Sequence, residues 1–221
     1  MRTVDPIKHE QKRQEILAAA IRCALRSGLK GTSTSDICAE AKISPGHLYH
    51  YFENKDAIFA GLAETKLNEL TERLRRNIEA GGATLEAISA AVRAASEASW
   101  HRDEYALVFE MLAEAVRSPA MASLLRKTGD AMRAVLANAF REGQKNGEFD
   151  KTLDPALASA AVLGMIDAAK AFALRYPETS RAERAAFLDL LMARLLAPGS
   201  CPAAKAAPRH VAVAKRKVRA S

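Results

Sequence analysis

The chain has 221 residues, 49% of them hydrophobic but only 5% aromatic, with a formal net charge of +7. That length can bury a substantial core in one or two domains, and few aromatics with abundant Ala, Leu, Arg and Glu suit an all-helical protein. No apolar run of about 18 residues is apparent, and the N-terminus, charged through Lys8, Glu10, Lys12 and Arg13, lacks a signal-peptide core. A membrane span and export are therefore not expected, and the protein is expected in the cytosol.

From about Gln11, the residues Ile16, Leu17, Ala20, Ile21 and Ala24 repeat at helical spacing and stop before Gly28, which suits a left-handed helix cap. This first helix would support the two short helices after it. Ser33 and Asp36 form an S-x-x-D capping box, so a second helix starts near Thr34, with Ile37 and Ala41 on one face. Lys42-Ile43 makes the connection, with Ile43 as an apolar plug. Ser44 followed by Pro45 places an N-cap and a proline at the first position of a third helix. Cys23 and Cys38 fall at positions that pack inside this small unit, and with Cys201 they show neither metal nor disulfide spacing.

The third helix carries an unusual surface. Gly46 leaves its leading edge bare, so that the backbone can approach a phosphate, whose charge a helix start favours. Leu48 and Phe52 face the core, which leaves His47, Tyr49, His50 and Tyr51 mostly outward, all able to bond phosphates or base edges. Two exposed tyrosines on so short a helix call for a partner. The expected partner is double-stranded DNA.

Gly28, Thr32-Ser33, Ile37, Ala41 and then S-x-G-x-L-Y-x-Y-F with Lys55 three positions on resemble the TetR family of bacterial transcriptional regulators over about the first 60 residues. The resemblance implies an N-terminal three-helix helix-turn-helix domain over 8–55 and a helical effector-binding and dimerisation domain over 56–198. It implies backbone contacts by Thr34, Ser44, Gly46, Tyr49 and Lys55, and base or nearby phosphate contacts by His47, His50 and Tyr51. Pro45, counted with the DNA-facing residues, departs from the lysine or similar polar residue the family often has there, which removes one possible phosphate or base contact.

After Asn54, the pattern Ile58, Leu62, Leu67, Leu70, Leu74 and Ile78 runs to Gly81-Gly82 as one long helix. Start signals at Thr84, Ser118-Pro119, Asp154-Pro155 and the Ser180/Glu183 capping box then predict helices over about 84–100, 103–116, 119–146, 155–175 and 181–197. Ala156, Ala160, Gly164 and Ala168 make a small-residue stripe, and Phe187, Leu188, Leu191 and Leu195 make an apolar side on the last helix. These two helices are expected to form a homodimer interface, since one helix-turn-helix reads few bases and a palindrome doubles the contact.

Trp100, Phe109, Met111, Leu112, Met132, Phe140, Met165 and Phe172 supply bulky walls for an apolar pocket, and the family resemblance implies a small-molecule effector there. The segment from Phe109 to Pro119 also looks similar to the subgroup containing the repressor of choline-to-betaine genes, which does not name a ligand. Residues 199–221 hold Lys205, Arg209, Lys215, Arg216, Lys217 and Arg219 and no acid, so a disordered basic tail is expected, either solubilising or attracted to DNA.

An enzyme is not expected. No phosphate-cradling glycine loop, G-x-S-x-G elbow or H-E-x-x-H motif is present, and Glu97, His101 and Glu104 lack an opposing ligand set for a di-iron bundle. No metal or cofactor is implied. The reading is a ligand-responsive homodimeric repressor on a palindromic operator, with an activator or a helical small-molecule-binding protein with an idle head as alternatives.

Overall fold

The structure is a computed structural model describing residues 5–97 and 102–198. Trp100 and the basic tail from Gly199 lie outside the described residues. Among the described residues nine α-helices follow one another without a strand.

Helix α1 (Pro6–Gly31) starts five residues before its apolar periodicity, because Asp5 accepts from the Ile7 amide at 3.0 Å and Pro6 occupies the first turn. At Gly28 the backbone turns to φ +72° and ψ 169°, so the chain kinks before a last short turn. The amide and hydroxyl of Thr32 both donate to the Gly28 carbonyl, at 3.2 and 2.8 Å, closing that turn.

Helix α2 (Thr34–Ala41) carries both halves of the Ser33/Asp36 capping box, and Lys42 ends it in the left-handed conformation. The Ile43 amide donates to the Cys38 carbonyl at 3.0 Å, which folds the connection back under α2. Helix α3 (Pro45–Tyr51) starts with the His47 amide donating to Ser44 Oγ at 3.2 Å. Asn54 caps α4 (Lys55–Gly81) through the Ala57 amide at 2.8 Å. The body continues with α5 (Leu85–Glu97), α6 (Arg102–Ala115), α7 (Pro119–Asn146), α8 (Pro155–Arg175) and α9 (Arg181–Leu196).

Two cores hold this together. The first gathers Ile16, Leu17, Ile37, Leu48 and Phe52 and is completed by Ile58 and Leu62 of α4, Leu107 and Met111 of α6 and Met121 of α7. The head therefore shares its core with the body, and a division after residue 55 runs through this cluster. The second gathers Leu74, Ile88, Val92, Leu136, Phe140, Phe149, Ile166 and Met192. Phe149 lies against Gly143, where any side chain would collide with its ring, so the chain after α7 closes back on that helix. Arg93 of α5 pairs with Asp189 of α9 across the body.

Helix α8 corrects one expectation. Over an 18-residue window its mean hydropathy is 1.6, long and apolar enough to cross a membrane by length and composition. Asp167 and Lys170 interrupt the run, but the alanines, leucines and methionine around them outweigh two charges in the average. In the fold this helix packs against α5, α6, α7 and α9.

Candidate nucleic-acid interface and effector cavity

The head presents α3 on a rigid base. Arg22 and Arg26 of α1 each bond the Glu40 carboxylate of α2 at 2.6 Å, which locks the two supporting helices and holds Glu40 below the usual carboxylate range, chiefly through the Arg22 and then the Arg26 hydrogen bond. Arg13 lies over the buried Phe52 ring, 5.4 Å from its centroid, pinning the end of α3 to α1. Burial pushes the Cys23 and Cys38 thiols up, so both stay protonated small hydrophobes.

On this base Ser44, Pro45, Gly46, His47, Tyr49 and His50 are exposed, Tyr49 by 53%. Nothing lies within 4 Å of where a Cβ on Gly46 would stand. Ser44 Oγ accepts the capping bond, which leaves its O–H directed to another acceptor. Thr34, at the start of α2, is half-buried.

Two expected contact residues are more deeply engaged. Tyr51 is half-buried against the head core, and its ring meets His9 at 4.6 Å, His50 at 5.2 Å and His47 at 5.5 Å between centroids. Lys55 is half-buried, its Nζ donating to the Lys30 carbonyl at 3.3 Å and standing 5.5 Å from the Phe59 ring centroid. Tyr51 thus sets the spacing of the two histidines, and Lys55 ties the start of α4 to the end of α1. The apolar periodicity does not reach His9, whose helix starts at Pro6; the Asp5-Pro6 cap is the signal that marks it.

The body holds a partly open cavity of about 130 Å³ between α4, α6, α7 and α8. Met111, Leu112 and Met132 line it, as expected, together with Leu67, Leu70, Leu163 and Ile166. The other candidate ligand residues go elsewhere. Phe140 is fully buried in the body core, edge-on to Phe149 at 5.9 Å, while Met165 and Phe172 line a surface groove between α8 and α9. Phe109 is half-buried outside both. They separate because a bulky apolar residue reads the same in sequence whether it packs a core, a cavity or an outer face.

Sequence reasoning missed Lys66, Thr128, Asp167 and Lys170, which also line the cavity. A lysine three residues after an aspartate inside the Ala-rich apolar run of α8 is the signal that marks Asp167 and Lys170; nothing in the local pattern marks Lys66 or Thr128.

A capped three-helix head offering the bare start of a recognition helix, joined to a helical body with a partly open cavity, defines a DNA-binding transcriptional regulator rather than an enzyme. Family models agree on both halves: "Bacterial regulatory proteins, tetR family" matches residues 16–62, and "BetI-type transcriptional repressor, C-terminal" matches residues 84–197. The chain belongs to the TetR family. It is 29% identical over 153 residues to the HTH-type transcriptional regulator UidR of Escherichia coli K12, covering 69% of this chain and 76% of that protein. The HTH-type transcriptional repressor KstR2 of Mycolicibacterium smegmatis is 25% identical over 149 residues, covering 67% and 73%. The solved structure of Salmonella enterica GusR superposes with a TM-score of 0.71 at 25% identity, over 84% of this chain and 95% of that one.

Proposed function

We propose that the protein is a homodimeric repressor, acting in the cytosol, that reads a palindromic operator through α3 and leaves it when a small molecule enters the α4–α6–α7–α8 cavity. The observation that carries the DNA reading is the open, side-chain-free space over Gly46 beside exposed His47, Tyr49 and His50. A phosphate reaches the backbone there, Ser44, Tyr49, Thr34 and Lys55 hold the neighbouring phosphates, and the histidines meet base edges or adjacent phosphates.

Helix α4 supports the coupling to the effector. Its first residue, Lys55, bonds the end of α1, and fifteen residues on, roughly 22 Å along a straight helix, Leu70 lines the cavity. A ligand that favours one placement of α4 shifts the population of head spacings, and a spacing that no longer matches the half-sites releases the DNA.

Footprinting on the DNA upstream of the gene, at physiological salt with excess competitor, tests this. The expected result is a protected palindrome whose half-sites lie about 34–36 Å apart or a multiple of that. No protection there or on a genome-wide fragment pool overturns the operator reading and leaves a small-molecule-binding protein with an idle head.

A further inference from the structure

We infer that His9 of α1 is a third DNA-contacting imidazole and that the head takes up protons at His9, His47 and His50 as it binds the operator; this rests on the reading of α3 as the recognition helix. The three rings come from two helices and meet around one side chain. Their centroids stand 4.6 Å (His9), 5.5 Å (His47) and 5.2 Å (His50) from that of Tyr51, and His9 and His50 are 5.9 Å apart, edge to face.

His47 and His50 are exposed and His9 is half-buried. Among the described residues no side-chain hydrogen bond or ion pair occupies any of the three rings. Their nitrogens are therefore open to an outside partner, and His9 extends the surface of α3 onto α1.

The acids around them are mostly engaged elsewhere. On α1, Asp5 faces Lys8 at 3.9 Å, Glu10 bonds Gln14 at 2.7 Å and lies 3.5 Å from Arg13, and Glu15 meets Lys12 at 2.8 Å. On α2, Asp36 is bonded to Ser33 and Glu40 to Arg22 and Arg26. On α4, Glu64 pairs with Lys127 at 3.5 Å, while Lys55 is turned to Lys30 and Phe59. Helix α3 carries no acid, and Glu53 and Asp56 are exposed just beyond it.

Imidazole as a side chain titrates near pH 6.5, roughly, between its neutral and cationic forms. Cations 5.9 Å apart oppose one another, so each protonated ring disfavours the next in the free head. A phosphate laid across the cluster supplies the missing anion for all three, and the Tyr51 ring face attracts a cation within about 6 Å of its centroid. Proton binding and DNA binding then strengthen each other. Each proton taken up raises affinity by about tenfold per unit fall in pH.

The test uses the full-length protein and the upstream DNA that footprinting identifies, from about pH 6 to about pH 8 at constant ionic strength. Filter binding gives the affinity, and isothermal titration in buffers of different protonation enthalpy counts the protons. Operator affinity is expected to rise by about tenfold or more per unit as pH falls, with net proton uptake on binding. His9→Gln should take up fewer protons and show a flatter pH profile. His9→Arg, whose charge is fixed, should flatten the profile too while binding more tightly than His9→Gln near the upper pH. A purely structural His9 would instead lower Tm and shift the whole profile without changing its slope.

Operator binding without proton uptake would overturn the inference and leave α3 as the recognition helix. Proton uptake unchanged in folded His9→Gln or His9→Arg would remove His9 from the contact surface. The wild-type proton count and His9→Arg decide the matter even where His9→Gln fails to fold. Absence of DNA binding at every pH would overturn the operator reading, and the inference with it.

Discussion

At Gly46 a methyl group meets no atom of the free protein, and alanine is the better helix former. Gly46→Ala should therefore leave Tm unchanged or slightly higher, while the added methyl stands where a phosphate is proposed to approach. Tyr49, about half exposed, gives up little packing, so Tyr49→Ala should weaken operator binding by about tenfold, the value of one good polar contact, with little change in Tm. Anisotropy titration and thermal denaturation on the same samples decide this; an affinity loss that follows a Tm loss would make either residue structural. Glu40 gives a second residue-scale expectation. Its folded-state pKa is lowered by bonds from Arg22 and Arg26, so the stability it contributes is complete above the unfolded value, about 4.3 for glutamate, and fades as pH falls through the lower folded value. Asp36, lowered chiefly by the Ser33 hydroxyl and also by its amide, acts in the same direction. In Glu40→Gln the melting curve should start lower at neutral pH and fall less steeply into acid; a parallel acid limb would show that the carboxylate adds nothing to it.

Helix starts were the most legible elements, because a cap is written within four residues. Ser33/Asp36, Ser44/Pro45, Asp154/Pro155 and Ser180/Glu183 all begin helices where their spacing says. The contacts between elements were not legible, since no local spacing reports them. Glu110 of α6 is the clearest case: its Oε2 accepts from the Leu29 amide at 2.6 Å, across 81 residues of sequence. It also crowds Gly28, where a Cβ would stand 2.8 Å from Oε1, so the positive φ and the carboxylate fit only around a glycine. The neighbours of Glu110 on the same helix, Val108, Met111 and Leu112, line the cavity. Helix α6 thus joins the head core through Leu107 and Met111 and bonds it through Glu110, while Val108, Met111 and Leu112 reach the proposed effector space. Glu110→Ala leaves the part-buried Leu29 amide without this acceptor and should cost about 1–3 kcal/mol. If α6 carries the signal together with α4, the variant should bind a cavity ligand as before but release DNA less readily, measured as ligand affinity against the ligand concentration for half-release. Equal loss in both would place the coupling in α4 alone.

At the scale of the whole molecule, the sequence marked a small-residue stripe without saying which way it faced. Ala156, Ala160, Gly164 and Ala168 are all exposed in the protomer, while Ala158, Val162 and Ile166 of the same helix are buried. On the same two helices Leu157, Phe172, Phe187 and Leu190 are exposed large apolar side chains, and Phe172 and Phe187 line a groove of about 410 Å³ that includes Ala168 of the stripe. Contiguous apolar surface of this kind marks an interaction site, and small residues let helix axes approach closely. A second copy of the chain is the occupant that DNA reading favours, because a two-fold pair sets two recognition helices one helical turn apart. Phe187→Glu adds a charge to a position that is 58% exposed in the protomer, so folding of one chain should be unaffected. In a dimer the same charge would be buried without a partner, a cost of several kcal/mol. Sedimentation should then give a folded monomer at micromolar concentration, and operator affinity should fall by about 100-fold or more as each head binds alone. Full operator affinity from a monomeric variant would mean that one head suffices; an intact dimer would place the interface on another face.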